Sequence, residues 1–568
     1  MTNYQFTGGT ICAPATIPGT GAISIIRVSG KEALAIADKV IDTKGVPIAE
    51  TEGYRLRYGT VFEADGSVLD NVIVSVFRAP HSYTGENSVE ISCHASRFIV
   101  NKILELLVNA GARIAAPGEF TRRAFVNGKM DLAQAEAVAD VIASQSAASH
   151  RVAMNQLKGG FSSELKVLRE KLLTMTSLLE LELDFSEEDV EFASRKELGQ
   201  LVDDSLTHIR RLTASFSRGN AIKNGVPVAI VGATNTGKST LLNALLGEER
   251  AIVSDIAGTT RDTIEETLNI DGILFRFIDT AGIRETDETI EKIGIDRTFK
   301  KLGEAAVVLG MTDLSRGEAA VLEDADFILS KVNEMGGVKN VGLAIDGAET
   351  GGASLAGTDG ASLAETGGTP LSETGGTPLS ETGGTPPAET GGASQHGHGD
   401  GQERKVVILV NKCDVADDFY WDDNGTGDGT GNDLGENMAE IDGNKNVNHD
   451  NNIVSLIENK YDNCKVIPIS AKTGKGLSTL TKTLGEIGSE ITGSTDETLV
   501  TNVRHYEALV RAASALDRVR AGLHIATLPP DLIAQDLREA LYHLGEIVGE
   551  ISTDETLGNI FRNFCIGK

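Results

Sequence analysis

Residues 232–239 read GATNTGKS and fit the phosphate-loop pattern G-x-x-x-x-G-K-[ST], with Gly232, Gly237, Lys238 and Ser239 at the defining positions. Such a loop functions only between a strand and a helix. The run before it, VPVAIV, is a short apolar strand, and the run after it, TLLNALLG, reads as a helix. The glycines let backbone N–H groups curl around phosphates at a helix N-terminus. Lys238 neutralises β/γ charge and Ser239 offers its hydroxyl to Mg2+. The nucleotide-facing stretch therefore runs through Asn235, Thr236, Gly237, Lys238, Ser239 and Thr240.

Three further motifs, each after an apolar strand, select the nucleotide. ILFRFI leads into Asp279, Thr280, Ala281 and Gly282, where an Asp suits a water-mediated Mg2+ contact and a Gly suits backbone donation to a γ-phosphate. KVVILV leads into Asn411, Lys412, Cys413 and Asp414, whose carboxylate can accept from guanine N1–H and the amino group, which adenine lacks. KVIPI leads into Ser470, Ala471 and Lys472, where a backbone N–H can meet guanine O6. Together they predict a GTPase.

Two details bear on mechanism. Ile283 stands where Ras-like switches place a water-orienting glutamine, and an aliphatic side chain cannot do that work. The segment Ser254, Asp255, Ile256, Ala257, Gly258, Thr259, Thr260 is rich in small residues and reads as a first switch, with Thr260 as a Mg2+ ligand. Asn235 can hold a monovalent cation together with carbonyls of this switch, neutralising transition-state charge as an arginine finger does.

The 568 residues are 40% hydrophobic, enough for two or three domains with their own cores. No stretch approaches the roughly 18 apolar residues of a membrane span, and the N-terminus lacks a signal-peptide pattern. Five scattered cysteines without C-x-x-C spacing argue against a disulfide framework, so a reduced, cytoplasmic compartment is expected. The net charge of −30 opposes broad phosphate neutralisation, so any nucleic-acid contact should be local or carried by a partner.

Residues 349–396 repeat with period eight (ETGGASLA, ETGGTPLS and variants), too poor in large apolar residues to offset their own ordering entropy; disorder is expected. A second insertion near 416–452 is rich in Asp, Asn and Gly. Its Asp422–Asp433 run lacks the Glu that would complete a calcium loop, and it reads as solvated chain. HGHG at 396–399 is too short to claim a metal.

Outside these insertions the chain resembles the tRNA-modification GTPase family known as MnmE or TrmE. The resemblance is carried by ATIPGTGAISIIRVSG near the N-terminus, APGEFTRRAFVNGKMDLAQAEAVADVI in the middle, and Cys565-Ile566-Gly567-Lys568 after GEIVGEISTDETLGNIF. It implies a multidomain α/β and α protein. An α+β N-terminal tetrahydrofolate-binding and dimerisation domain is expected at 1–125, with helical domain parts at 126–220 and 491–568. A Ras-like G domain at 221–490 would carry the insertions 340–404 and 416–452.

The resemblance also implies a homodimer whose G domains meet across K+. It implies a flavoprotein partner, MnmG (GidA), in a heterotetramer-type complex, with FAD on the partner only. A 5-formyl- or methylene-tetrahydrofolate would supply the one-carbon unit for an aminomethyl or carboxymethylaminomethyl group on C5 of wobble uridine 34. Carried over by motif, folate contacts fall on Arg27, Glu90, Lys129 and Lys568, and K+ ligands on Asn235, Ser254, Ile256 and Thr259. The water-orienting glutamate falls on Glu291, and the cysteine needed for modification on Cys565. Relatives usually read CHGG where this chain has Cys93-His94-Ala95-Ser96, which puts that turn's backbone in question. The alternative is a ribosome-assembly GTPase switch, which shares the G motifs but usually carries a basic RNA-binding flank that is not evident here.

Overall fold

The computed structural model describes residues 8–184, 195–249, 266–278, 305–334, 404–415, 453–461, 464–493, 497–525, 529–562, 564 and 567. The octad array and the acidic loop 416–452 lie outside them.

The N-terminal part contains β1 (Ile11–Pro14), β2 (Ile23–Ser29), α1 (Ala33–Val40), β3 (Ile41–Asp42), β4 (Arg55–Phe62), β5 (Val68–Phe77), β6 (Ser88–His94), α2 (Arg97–Asn109) and β7 (Arg113–Ile114). They make a seven-stranded sheet of order β3-β4-β5-β6-β2-β1-β7. Strand alternation explains its two faces. Val72, Val74 and Val76 of β5 join Val89, Ile91 and Cys93 of β6 in a core with Ile103 and Leu107 of α2. On the opposite face, Ile23, Leu56, Tyr58 and Ile73 stay between 48% and 67% exposed. Ala95 and Ser96 avoid left-handed backbone, and Ser96 (φ −101°) opens α2, so the missing glycines leave this turn unstrained.

A helical run follows: α3 (Glu119–Val126), α4 (Leu132–Ala143), α5 (Ala147–Leu157), α6 (Gly160–Asp184), α7 (Arg195–Ala214) and α8 (Phe216–Asn224). Two of these helices announce their starts. Asp131 and Gln134 form a capping box at α4, and Ser146 and Ser149 form one at α5.

The chain then builds β8 (Val226–Gly232), α9 (Lys238–Glu249), β9 (Glu266–Ile270), β10 (Ile273–Ile278), β11 (Val307–Asp313), α10 (Glu318–Glu334), β12 (Lys405–Asn411), α11 (Ile453–Lys460), β13 (Lys465–Pro468) and α12 (Leu477–Thr492). Their sheet has the order β13-β12-β11-β8-β10-β9, parallel except for the β9–β10 pair. Every residue of β11 and β12 is buried, as expected of parallel strands covered on both faces. Val407 and Leu409 point into one core layer, Val406, Ile408 and Val410 into the other.

The last helices are α13 (Val503–Leu523), α14 (Pro530–Val548) and α15 (Asp554–Arg562). They return to the earlier helices: Leu165 and Leu172 of α6, Val202 and Ile209 of α7, Leu516 of α13 and Leu537, Leu541 and Leu544 of α14 share one core. Val548 packs at its edge. The leucine spacing in α14 thus marks a packing face, as its period suggests.

A buried ion cluster stitches the two helical blocks. Arg504 Nε and Nη2 donate to Glu136 at 2.9 and 3.0 Å, and its Nη1 donates to the Glu546 carbonyl at 2.7 Å. His505 Nε2 lies 2.6 Å from Glu136, and His505 is 1% exposed. Burial alone would raise the Glu136 carboxyl, but His505 and Arg504 outweigh it and hold the group at about 2. Because the folded value lies below the unfolded one, this stabilisation is present above pH 4.5 and is lost as pH falls toward 2. Glu136→Ala should cost about 3–5 kcal/mol by stranding buried partners; equilibrium urea unfolding of the bundle measures it.

Candidate functional site

The phosphate loop leaves β8 where the strand order reverses, with β11 on one side and β10 on the other. That is the crevice at the carboxyl ends of the strands where open α/β sheets bind ligands. Gly232 ends β8 and Lys238 begins α9, so the loop amides face a helix N-terminus. Lys238 Nζ lies over the loop, donating to the Gly232 and Ala233 carbonyls at 2.9 and 2.7 Å. Burial lowers its pKa, the price of keeping an ammonium where a phosphate charge can meet it. Ser239 is half-buried in the first turn of α9, and Thr240 beside it is exposed.

Asn411 fastens the phosphate loop to the base-side loops. Its Nδ2 donates to the Thr236 carbonyl at 2.7 Å, and its Oδ1 accepts from Ala471 N–H at 3.0 Å. Three motifs separated by 175 and 60 residues thus converge on one carboxamide. The contact also explains Gly237: a Cβ there would run into Asn411 Nδ2, and φ is +100°. Ser470 is fully buried and Asp414 is exposed.

Lys412 takes a left-handed conformation (φ 65°), and its Nζ lies 2.6 Å from Asp313 Oδ2 at the end of β11. Desolvation pushes the Asp313 carboxyl up, but hydrogen bonds from Lys412 and Ser315 outweigh it and hold it below the usual range. Sequence reading passed over Asp313. Its signal was register: it is the strand-end residue paired with Asn411 in the parallel ladder.

Asn235 is exposed with φ 63°, and among the described residues its carboxamide has no hydrogen-bond partner. The other switch and catalytic expectations, residues 254–260 and 279–282 with Glu291, lie outside the described residues.

A second site lies on the open face of the N-terminal sheet. Arg27 of β2 and Glu90 of β6 are directly opposed, with Arg27 Nε 2.9 Å from Glu90 Oε1. The guanidinium sits 5.1 Å from the Tyr83 ring centroid and 5.6 Å from that of Phe120. Neither aromatic carried a sequence signal, because both reach Arg27 from loops and helices distant in the chain. Gly567 of the C-terminal tail closes the site, its carbonyl 3.5 Å from Arg27 Nη1. A Cβ at Gly567 would collide with the Pro14 carbonyl, so this approach demands glycine. Lys129 packs at Gly85 and donates to the Pro80 carbonyl at 3.0 Å, on the loop that carries Tyr83. Cys565 and Lys568 lie outside the described residues.

Comparison with known proteins covers nearly the whole chain. The family profile described as "GTP-binding protein TrmE N-terminus" matches residues 10–129, and that described as "MnmE helical domain" matches residues 132–565. A protein of Parabacteroides distasonis named tRNA modification GTPase MnmE is 43% identical, covering 98% of this chain and 100% of its own length. Its namesake in Bacteroides thetaiotaomicron is 42% identical, covering 98% and 99%. A solved FeoB G domain from Methanococcus jannaschii, 18% identical, covers 46% of this chain and 98% of its own; its TM-score of 0.22 is too low to carry an argument. The match across both flanks selects the modification family over the ribosome-assembly alternative. A phosphate loop tied through Asn411 to the base loops, flanked by matching N-terminal and helical domains, leaves one assignment: the chain belongs to the MnmE family of tRNA modification GTPases.

Proposed function

We propose that this chain is a K+-activated GTP hydrolase. With an MnmG (GidA)-type flavoprotein it adds an aminomethyl or carboxymethylaminomethyl group to C5 of wobble uridine 34 in certain tRNAs. The observation that carries this reading is the pairing of two sites in one chain: a guanine-nucleotide crevice, and a cation–carboxylate pocket closed by the chain's own C-terminal tail. The reading divides the chain at 1–125, 126–220, 221–490 and 491–568. Among the described residues no helix is long and apolar enough to cross a membrane. The assignment to the cytoplasm rests instead on five scattered cysteines without C-x-x-C spacing.

In the nucleotide crevice Lys238 meets the β/γ-phosphates, and Ser239 with Thr260 holds Mg2+. Asp414 reads the guanine edge and Asp279 and Gly282 serve the γ-phosphate side. Glu291 orients the attacking water in place of Ile283. Asn235 with Ser254, Ile256 and Thr259 holds K+, which when bound neutralises charge that develops on the transferred phosphoryl group. That the Asn235 carboxamide has no hydrogen-bond partner among the described residues, and that its backbone is left-handed (φ 63°), supports this assignment.

The N-terminal pocket suits a tetrahydrofolate. Both Arg27 contacts use Glu90 Oε1, which leaves Oε2 to accept from the amide and amino edge of a pterin. Tyr83 and Phe120 offer ring faces, while Lys129 and Lys568 suit the acidic glutamate tail. When bound, the folate supplies the one-carbon unit. The exposed Ile23, Leu56, Tyr58 and Ile73 share this face and support a homodimer built across it. Burial pushes Cys12 and Cys93 up to about 11 and Cys413 and Cys464 up to about 12, so those thiols stay protonated at neutral pH. This supports Cys565 as the thiol needed for modification.

Nucleoside mass spectrometry of bulk tRNA from cells lacking the gene should show loss of C5-aminomethyl-type uridines; intact wobble uridines would overturn the reading. GTP turnover should be faster in K+ than in Na+ by about tenfold or more, within the range one charge-stabilising contact supplies. Asn235→Ala should remove that difference; equal wild-type rates in both salts would refute the cation site. Arg27→Ala should weaken 5-formyl-tetrahydrofolate binding by about 10–100-fold, as expected for a lost charged hydrogen bond, read by calorimetry.

A further inference from the structure

The β9–β10 hairpin joins the two nucleotide-sensing segments of the chain. The first-switch residues 254–260 precede β9, and residues 279–282 follow β10 directly. Its turn, Asp271-Gly272, has φ of 53° and 81° at the two positions, the tight turn that keeps two strands in one twisted ribbon. At about 3.3 Å per residue the ribbon carries its tip roughly 16 Å from the strand ends that meet the switches.

That tip is packed on α12 of the nucleotide domain, with Asp271 against Gly485 and Ile270 and Ile273 in the core with Leu484 and Ile487, and its outer edge meets the helical bundle. Asn269 Nδ2 donates to the Gln145 carbonyl at 3.0 Å, at the entrance to α5. Ala148 N–H, in the first turn of α5, donates to the Gly272 carbonyl at 3.4 Å, so the hairpin fills one of that helix's orphan donors. Asn269 also holds the turn itself, its Oδ1 accepting from Gly272 N–H at 3.0 Å. Behind the tip lies a cavity of about 270 Å3 whose walls include Asp140, Ile222, Lys223, Thr267, Leu274 and Thr501. At the hairpin tip the joint thus rests on two hydrogen bonds beside a cavity, a place where small relative displacements of the two domains can be taken up.

Beyond α5 the contacts run on to the second site. Gln156 Nε2 donates to the Ala133 carbonyl and Gln134 Nε2 to the Leu157 carbonyl, tying the C-terminal turn of α5 to the N-terminal turn of α4. Leu132 and Ala135 of α4 share a cluster with Leu557, Phe561 and Phe564, the segment that leads to Gly567 over Arg27.

We propose that the β9–β10 hairpin is the lever by which nucleotide state reaches the C-terminal tail and the pocket it closes, with Asn269 as the positioning residue at its contact with the bundle. The inference rests on the GTP-driven modification proposed above. A shift at either strand end moves the tip as one body, because the ladder and the turn hold the ribbon together. Asn269 then pulls or releases the start of α5, and the α4–α5 pair carries the movement to α15.

Asn269→Asp tests this selectively. It keeps the acceptor for Gly272 N–H but replaces the donor to Gln145 with a second acceptor. The variant is assayed with its flavoprotein partner, methylene-tetrahydrofolate, an amine donor (ammonium or glycine), GTP and unmodified tRNA, following phosphate release and C5-modified uridine in one reaction. The expected result is GTP hydrolysis within about twofold of wild type and modified uridine per GTP reduced about tenfold, within the range of known coupling energies. Asn269→Ala, which loses both bonds without adding charge, should move the same ratio in the same direction. An unchanged ratio in both variants would overturn the lever, and so would parallel losses of hydrolysis and modification, which would confine Asn269 to the nucleotide site. A wild-type protein that hydrolyses GTP yet forms no C5 adduct would overturn the underlying reading, and the wild-type reaction alone reveals it.

Discussion

Glu136 and Arg504 stand 368 residues apart in the chain and share hydrogen bonds in an almost dry interior. An isolated charge there would be expensive, so each holds the other in place, and His505 and two α14 carbonyls complete the shell. The geometry of this cluster fixes α4 against α13 and α14 at once. A complete nucleotide domain can then be inserted between the helical blocks without dividing their core, since both ends of the insertion return to the same bundle. The cluster adds a directional, polar constraint to the apolar packing that already joins these helices.

What could be read in advance follows physical range. The phosphate loop, the guanine-side motifs and the α14 leucine stripe are encoded within a few residues, and the structure builds each on the expected strand or helix. Asp313, Tyr83 and Phe120 belong to another kind of information. Their partners lie 99, 56 and 93 residues away, and only sheet register or helix packing brings them together. The concern over Ala95 and Ser96 shows the reverse: glycines usual in relatives suggested a special backbone, whereas this turn passes into α2 in ordinary extended geometry.

The acidity of the chain takes on meaning from the pairing of its bases. On the helical bundle Arg518 is held by Asp536 and Glu539, Arg210 by Asp517, and Arg538 by Glu180. Such surface pairs add little stability, but they keep these cations from presenting a continuous positive field. A polyanion approaching this face meets local dipoles and balanced charge, which suits recognition at a few points or through a partner's surface.

The carbonyl of Gly567 meets a guanidinium that left the ribosome 540 residues earlier. At roughly 5–20 residues per second, that is about half a minute to two minutes of translation. During that interval the N-terminal sheet can fold while the segment that will cover Arg27 has not yet been synthesised. The contact between Arg27 and Gly567 is therefore a late event in the life of each molecule, made only after both sheets have been synthesised.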